Sequence, residues 1–482
     1  MLAVDKQSGN YLYSQVIDLI GENIDSGTLR PGDRLPSLRK MSRRTGVSIP
    51  TVRQAYVELE RQRRIESRPQ SGFYVRHLAN NDLVAPAPTS KLAVDCRECR
   101  PLMARVYDGM NNPRLTPLGV ANPSMAKPAA KTLHRSMKRI MARAEERSLG
   151  YAPTLGEPAL KRQIAYHYLD TIGVHVEPDN IAITNGAQEA LLLALHSVAA
   201  AGDVIAVETP TYHGMLELID SLGMLAIEVE TCPEEGVVLA ELRKTFEQHP
   251  VKACLLSTTL SNPLGVTMPD EDRKRLVAML EEYDVALVED DVYGDLHFDG
   301  TRPVPAQFLS DTARIMTCGS FSKTAAPGYR IGWIVADERF MDSIRRRKLA
   351  FSCSSGLLQQ LTLADFMASG DYGRHLKMLR PVLKRNSERM SALIAEHFPK
   401  ETRLSRPVGA SVLWLELPPK IDAEKLFEDA LNAGISIAPG QIFSPSNRYT
   451  NFIRLNYGHQ WSEKTEDAMR WLGEHVKEMA RA

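Results

Sequence analysis

A lysine set among hydroxyls is the first sign of chemistry in this sequence. In Ser320-Phe321-Ser322-Lys323-Thr324-Ala325-Ala326-Pro327-Gly328-Tyr329-Arg330 the amine of Lys323 follows two serines, and a guanidinium comes shortly after. Taken alone, such a lysine is an ordinary solvated charge. Its interest depends on four other stretches: Asn185-Gly186-Ala187-Gln188, Pro210-Thr211-Tyr212, Ser261-Asn262-Pro263-Leu264-Gly265 and Asp290-Asp291-Val292-Tyr293. The first opens the helical run EALLLALHSVA, whose free backbone N–H groups form an anion site. Brought together, the five stretches supply a phosphate cradle, an aromatic face, an amide, an acid with a tyrosine, and a lysine with an arginine.

Each stretch follows a short apolar run: NIAIT, DVIAVE, ACLLSTT, VALVED and RIMTC, with RIGWIVA beyond them. From about Thr116 these runs alternate with helical stretches, which predicts an α/β sheet with helices on both faces. Ligands in such sheets collect beyond the carboxyl ends of the strands. That is where the five stretches fall.

The chain has 482 residues, 43% hydrophobic and 24% charged, enough for one large core and at least one further domain. It contains no apolar run long enough to cross a bilayer, and MLAVDKQSGNYLYSQ lacks the segments of a secretory signal, so a cytoplasmic location is expected. Six scattered cysteines suit reduced thiols. Cys96 and Cys99 have neither a second pair nor a nearby histidine to complete a zinc site, and no metal is expected. The formal net charge is zero, yet from Arg34 to Arg76 eleven arginines and lysines face only Glu58, Glu60 and Glu66. One end of a neutral protein is cationic.

In that end the apolar spacing of Leu12, Val16, Leu19, Ile20 and Ile24 predicts a helix that stops at Gly27. After RPGDRLP, Ser37 caps a short helix to about Thr45, Gly46 breaks it, and Ser48 starts a third through Glu60. The run RRIESRPQSGFYV reads as a two-stranded wing turning at Pro69-Gln70-Ser71-Gly72. The pattern PGDRLPS, GVS, TV, AY and a glycine-tipped wing resembles the GntR family of winged helix-turn-helix DNA-binding domains. That resemblance implies that Arg39, Ser48, Thr51, Arg53 and Gly72 contact a double-stranded operator, the third helix in the major groove and the wing tip in the minor groove. Ile49 and Pro50 stand where many relatives carry an arginine and a small polar residue.

The larger constellation, from about Tyr151 to Gly458, resembles the fold-type I pyridoxal-phosphate enzymes, aminotransferase class I and II. The resemblance implies a mainly parallel sheet with a smaller C-terminal α+β subdomain. It makes Lys323 the catalytic residue and covalent anchor of pyridoxal 5'-phosphate; since its amine must be neutral to react, burial and Arg330 are expected to lower its pKa. Asp290 would pair with the ring nitrogen, Asn262 and Tyr293 with the ring hydroxyl, and Tyr212 would stack on the ring. Ser320, Ser322, Arg330, Gly186 and the amides of Ala187 and Gln188 would hold the phosphate. Tyr151, in the run Tyr151-Ala152-Pro153-Thr154-Leu155-Gly156, would reach the phosphate of a neighbouring subunit, which implies a homodimer. Arg454, in IRLNYG, would clamp a substrate α-carboxylate. Ala121-Asn122-Pro123, and Lys127 before Pro128, depart from the usual pattern near the substrate.

A GntR-like unit ahead of an aminotransferase-like unit resembles the MocR subfamily of bacterial transcriptional regulators. The expected division is a DNA-binding domain at 1–78, a linker at 79–115 that includes the proline-rich NNDLVAPAPTSK and a helix within about Val94 to Met110, and a cofactor domain at 116–482. The resemblance implies a regulator whose operator binding responds to pyridoxal phosphate or an amino acid, nucleoid-associated when bound and without membrane contact. The alternative is an active aminotransferase with an accessory DNA-binding unit, since no residue that chemistry needs is missing.

Overall fold

The computed structural model of the chain describes residues 11–25, 29, 33–61, 64–68, 72–75, 100–110, 112–119, 121, 127–446 and 448–481. They form two compact units, one centred on the first 82 residues and one on the remainder.

The N-terminal unit contains helices α1 (Leu12–Asp25), α2 (Leu38–Thr45) and α3 (Ile49–Arg61) and the hairpin β1 (Ile65–Arg68) with β2 (Gly72–Val75). The helical spacing of α1 places Val16, Ile20 and Ile24 in one core with Met41, Val52, Tyr56 and Leu59. Ser37 starts α2 by accepting from Lys40 N at 3.3 Å. Gly46 ends it at φ 70°, donating to Ser42 O at 2.9 Å. The expected start and stop are thus the observed ones. Buried Tyr56 donates its hydroxyl to Pro36 O at 2.8 Å, which fastens α3 to the segment just before α2. The wing is antiparallel, Ile65 opposite Val75. Gly27, the wing residues Pro69-Gln70-Ser71, Arg76, the connector from Asn80 to Cys99 with both its cysteines, and Asn122-Pro123 lie outside the described residues.

The larger unit opens with α4 (Arg100–Met110), the described part of the helix expected from about Val94. Next come β3 (Thr116–Pro117), α5 (Lys127–Ala144) and α6 (Pro158–Ile172). The central sheet contains β4 (Ile181–Thr184), β5 (Val204–Thr209), β6 (Leu225–Cys232), β7 (Gly236–Val237), β8 (Val251–Leu256), β9 (Ala286–Asp290), β10 (Ile315–Ser320) and β11 (Gly332–Val335), in the order β4-β11-β10-β9-β8-β5-β6-β7. β10, β9, β8, β5 and β6 are mutually parallel. β11 is antiparallel to both β10 and β4, so β4 runs with the parallel set. Alternate residues serve two cores: Ile205, Val207, Ala286 and Val288 pack on one face, Ala206 and Leu287 on the other. The first core includes Ala190, Leu191, Leu193 and Ala194 of α7 (Ala187–Val198). β6 and β7 were not among the expected runs, because LAIEVETC mixes charge with its apolar residues.

A second sheet, antiparallel, has the order β12 (Arg403–Leu404), β13 (Val412–Glu416), β16 (Phe452–Asn456), β15 (Ala438–Pro439). β14 (Ile435–Ser436) pairs with β3. Among the described residues no helix is long and apolar enough to cross a membrane.

Because Gly46 holds a left-handed conformation that a Cβ disfavours, Gly46→Ala should cost about 1 kcal/mol in local stability. Amide exchange across residues 33–75 would measure it, and unchanged protection would contradict this account of the turn.

Candidate functional site

The topology decides which chain ends meet. β4, β5, β8, β9 and β10 finish at one edge of the sheet, and β11, running the other way, begins there. The loops leaving that edge line a partly open cleft with a cavity volume of about 100 Å³. Lys323, Asp290, Asn262, Tyr293, Tyr212, Arg330, Ser320, Ser322, Ala187 and Gln188 all border it. Ten expected residues drawn from five separate loops share one cavity.

Lys323 lies in the turn after β10 and donates from Nζ to Ala121 O at 2.8 Å. Burial lowers its pKa to about 8; the guanidinium of Arg454 pushes the same way, with Arg330 a lesser contributor and the Asp290 carboxylate opposing. The expectation named Arg330 as the neighbouring charge. The stronger influence comes from Arg454, because the second sheet places that residue against Asn262 of the cavity lining, although Arg454 does not itself line the cavity. Asp290, the last residue of β9, accepts from Val292 N at 3.1 Å. Burial pushes its carboxyl up to about 6. Behind it Arg302, itself buried, bridges Asp291 and Asp295, and Asp295 also accepts from Tyr372 Oη at 2.9 Å and pairs with His167 at 2.9 Å. This network anchors the turn after β9.

At the other end of the cavity α7 begins without a side-chain cap after Gly186 at φ 84°. Arg330 reaches across it, Nη2 to Asn185 O at 3.3 Å and Nη1 to Ser322 Oγ at 3.5 Å. Ser320 Oγ lies 2.9 Å from Ser322 Oγ. A Cβ on Gly186 would sit 2.5 Å from Arg330 Nη2, so only glycine lets the guanidinium approach the helix start. Glu189, in the first turn, accepts from Asn185 N at 2.5 Å and pairs with buried Lys348 at 3.1 Å, which holds the loop.

Arg454, 1% exposed, comes from β16. It donates to Asn262 Oδ1 at 3.0 Å and Gly119 O at 2.6 Å and lies over the Phe443 ring at 5.0 Å. Among the described residues it has no carboxylate partner, and its Nε makes no hydrogen bond. Such a guanidinium is a ready site for a carboxylate. Tyr151 stands apart: it is 88% exposed and does not line the cavity.

In the N-terminal unit Arg39 of α2 and Arg53 of α3 are exposed. Ser48 Oγ is engaged locally, 2.7 Å from Thr51 Oγ1 and 3.3 Å from Thr51 N. Gly72 opens β2 at φ 106°.

The family model for aminotransferase class I and II matches residues 114–470, and that for bacterial regulatory proteins of the gntR family matches residues 12–75. This chain belongs to the aminotransferase class I and II family in its MocR form, with a GntR-type unit in front. The HTH-type transcriptional regulator YjiR of Escherichia coli (strain K12) is 34% identical over 96% of this chain and 98% of that protein. YdcR of the same strain is 36% identical over 97% and 99%. The structure of LysN, an alpha-aminoadipate aminotransferase from Thermus thermophilus complexed with N-(5'-phosphopyridoxyl)-L-leucine, superposes with a TM-score of 0.71 at 26% identity, covering 78% of this chain and 97% of that one.

For this MocR-type chain the sequence left several site residues unnamed. Tyr107 of α4 places its hydroxyl 3.2 Å from His213 Nδ1, packs edge-on to that ring, and hydrogen-bonds Tyr212. His213 is buried, and burial holds it neutral, its pKa well below the ordinary value. Ser257, Leu260 and Val292 also line the cavity, and the carbonyls of Gly119 and Ala121 accept from Arg454 and Lys323. Carbonyls carry no signature in a sequence, and one tyrosine on an amphipathic helix looks like core.

The residues fit the group the resemblance implies. A bare helix start with Arg330 and two serines suits a phosphate, Asp290 suits a ring nitrogen, and the Tyr293 hydroxyl, buried on the cavity with Ser411 close by, suits a ring hydroxyl. Only a neutral amine attacks an aldehyde, and Lys323 is protonated below about 8 and neutral above. Capture of added pyridoxal phosphate, followed by stopped-flow absorbance, should therefore accelerate with rising pH to a midpoint near 8. A midpoint near 10.5, the value of an unperturbed lysine, would refute the role of burial.

Proposed function

We propose that this protein is a pyridoxal-phosphate-dependent transcriptional regulator, whose affinity for an operator changes when the cofactor, or an amino acid reacting with it, occupies the cavity. The observation that carries the reading is the convergence of Lys323, Asp290, Arg330 and the start of α7 on one cavity, in a chain that also has an arginine-lined helix-turn-helix.

Bound there, pyridoxal phosphate supplies an aldehyde that captures amines and a ring that withdraws electrons. Lys323 Nζ would anchor the aldehyde, and its free amine could take and return a proton. Asp290 would keep the ring nitrogen protonated, Asn262 and Tyr293 would orient the ring hydroxyl, and Tyr212 would cover one ring face. Ser320, Ser322, Arg330, Gly186 and the Ala187 and Gln188 amides would hold the phosphate, and Arg454 would hold an amino-acid carboxylate. Tyr151, exposed and remote from its own cavity, supports a homodimer in which it reaches the phosphate bound by the partner.

A ligand shifts operator affinity only by as much as it favours one arrangement of the protein over another. Tyr107 is placed to report occupancy, because it joins the ring-covering Tyr212 to α4, the first described element of the larger unit. The alternative, an active aminotransferase, is favoured by the same complete set of Lys323, Asp290 and Arg454.

One sample tests both. Duplex binding and a screen of amino acids against keto acids would be run side by side, and rapid multiple turnover would favour the enzyme. Lys323→Ala should abolish the visible absorption that follows addition of pyridoxal phosphate; a retained band would refute the anchor. Arg454→Ala should keep that band and weaken the amino-acid response by roughly 10- to 100-fold, the value of a charged hydrogen-bonded pair. Arg53→Ala should weaken duplex binding and lower the salt slope by about one if it meets a phosphate. Binding indifferent to salt would contradict groove contact.

A further inference from the structure

The start of α3 is apolar where a DNA reader is usually polar. Ile49 is the first residue of the helix, 44% exposed, and belongs to no part of the unit's hydrophobic core. Pro50 beside it is exposed and has no N–H to donate. The two hydroxyls of the same turn, Ser48 and Thr51, lie 2.7 Å apart in one hydrogen bond, which uses one of their two O–H donors. The first turn of this helix therefore offers a duplex a hydrocarbon surface.

Charge says what that surface meets. Arg39, Lys40, Arg43 and Arg44 on α2 and Arg53 on α3 are exposed, so a polyanion is the complementary partner. In helix-turn-helix proteins the N-terminal residues of the second helix of the motif contact base edges in the major groove. Of the features displayed there, one is hydrocarbon: the C5 methyl of thymine. An arginine in the place of Ile49 would seek guanine, whereas an isoleucine gains only by covering a methyl and leaves exposed acceptors of other bases unpaired.

We infer that Ile49 is a specificity-determining residue that reads a thymine methyl in each half-site, with Arg53 and exposed Gln54 one turn further on reading or positioning through polar contacts. The inference rests on the proposed DNA-binding function and assigns base chemistry to that same face.

The test is a uracil scan. A duplex is selected by the full-length protein from a random pool, and each thymine is replaced singly by deoxyuridine, which removes the methyl and nothing else. Affinity is read by fluorescence anisotropy at fixed salt. One thymine per half-site should lose about fourfold, the value of burying one methyl-sized group. With Ile49→Ala that sensitivity should vanish, while the salt slope stays the same because no phosphate contact is lost. Val57→Ala removes hydrocarbon, 54% exposed, from the far end of the same helix and should leave the uracil profile intact. A flat scan with salt-sensitive binding, a profile unchanged by Ile49→Ala, or one erased by Val57→Ala would each overturn the inference alone. Absence of salt-sensitive duplex binding would overturn the proposed function and this inference with it.

Discussion

Two cations are buried close together, Lys323 on the cavity and Arg454 behind its lining residue Asn262, and each makes charge on the other more costly. Arg454 keeps its proton, so the lysine yields, and its amine becomes neutral above about pH 8 instead of near 10.5. Asp290 opposes the shift without cancelling it, because its own carboxyl is desolvated. The same imbalance leaves the site short of negative charge. An anion entering beside Arg454 or Arg330 meets a field already in place, which is the basis for both the cofactor and the amino acid in the proposed function.

Holding that arrangement is the work of the two sheets. The larger brings five loops to one edge because β4, β5, β8, β9 and β10 run parallel and the reversed strand between β4 and β10, β11, starts where they end. The smaller sheet carries Arg454 across from β16, between Trp414 of β13 and Ala438 of β15. Buried ion networks then fix the loops: Arg302 with Asp291 and Asp295 beneath Asp290, and Lys348 with Glu189 beneath the α7 start. Removing one partner from such a pair leaves an uncompensated buried charge, typically a loss of about 3–5 kcal/mol. Fold stability and site geometry therefore rest on the same residues.

Much was legible because it is local. Ser37 and Gly46 bound a helix through their own hydrogen bonds and dihedrals, and the apolar runs that became β4, β5, β8, β9, β10 and β11 have the length and texture of buried strands. The uncapped start of α7 was readable too, since a glycine before an apolar helix exposes its N–H groups wherever it sits. β6 was less legible, because only one face of it is fully buried and its charged residues break the run.

The sequence by itself determined the elements, the helix caps, the cationic end and the types of chemical group at each loop, because these follow from neighbouring residues and from composition. Only the tertiary structure decided that Arg454 rather than Arg330 dominates the lysine's environment, that Tyr107 meets Tyr212, that carbonyls of Gly119 and Ala121 complete the site, and that Tyr151 lies away from its own cavity. Those relations depend on distance and burial between residues far apart in the chain, and both are set by how sheets and helices pack.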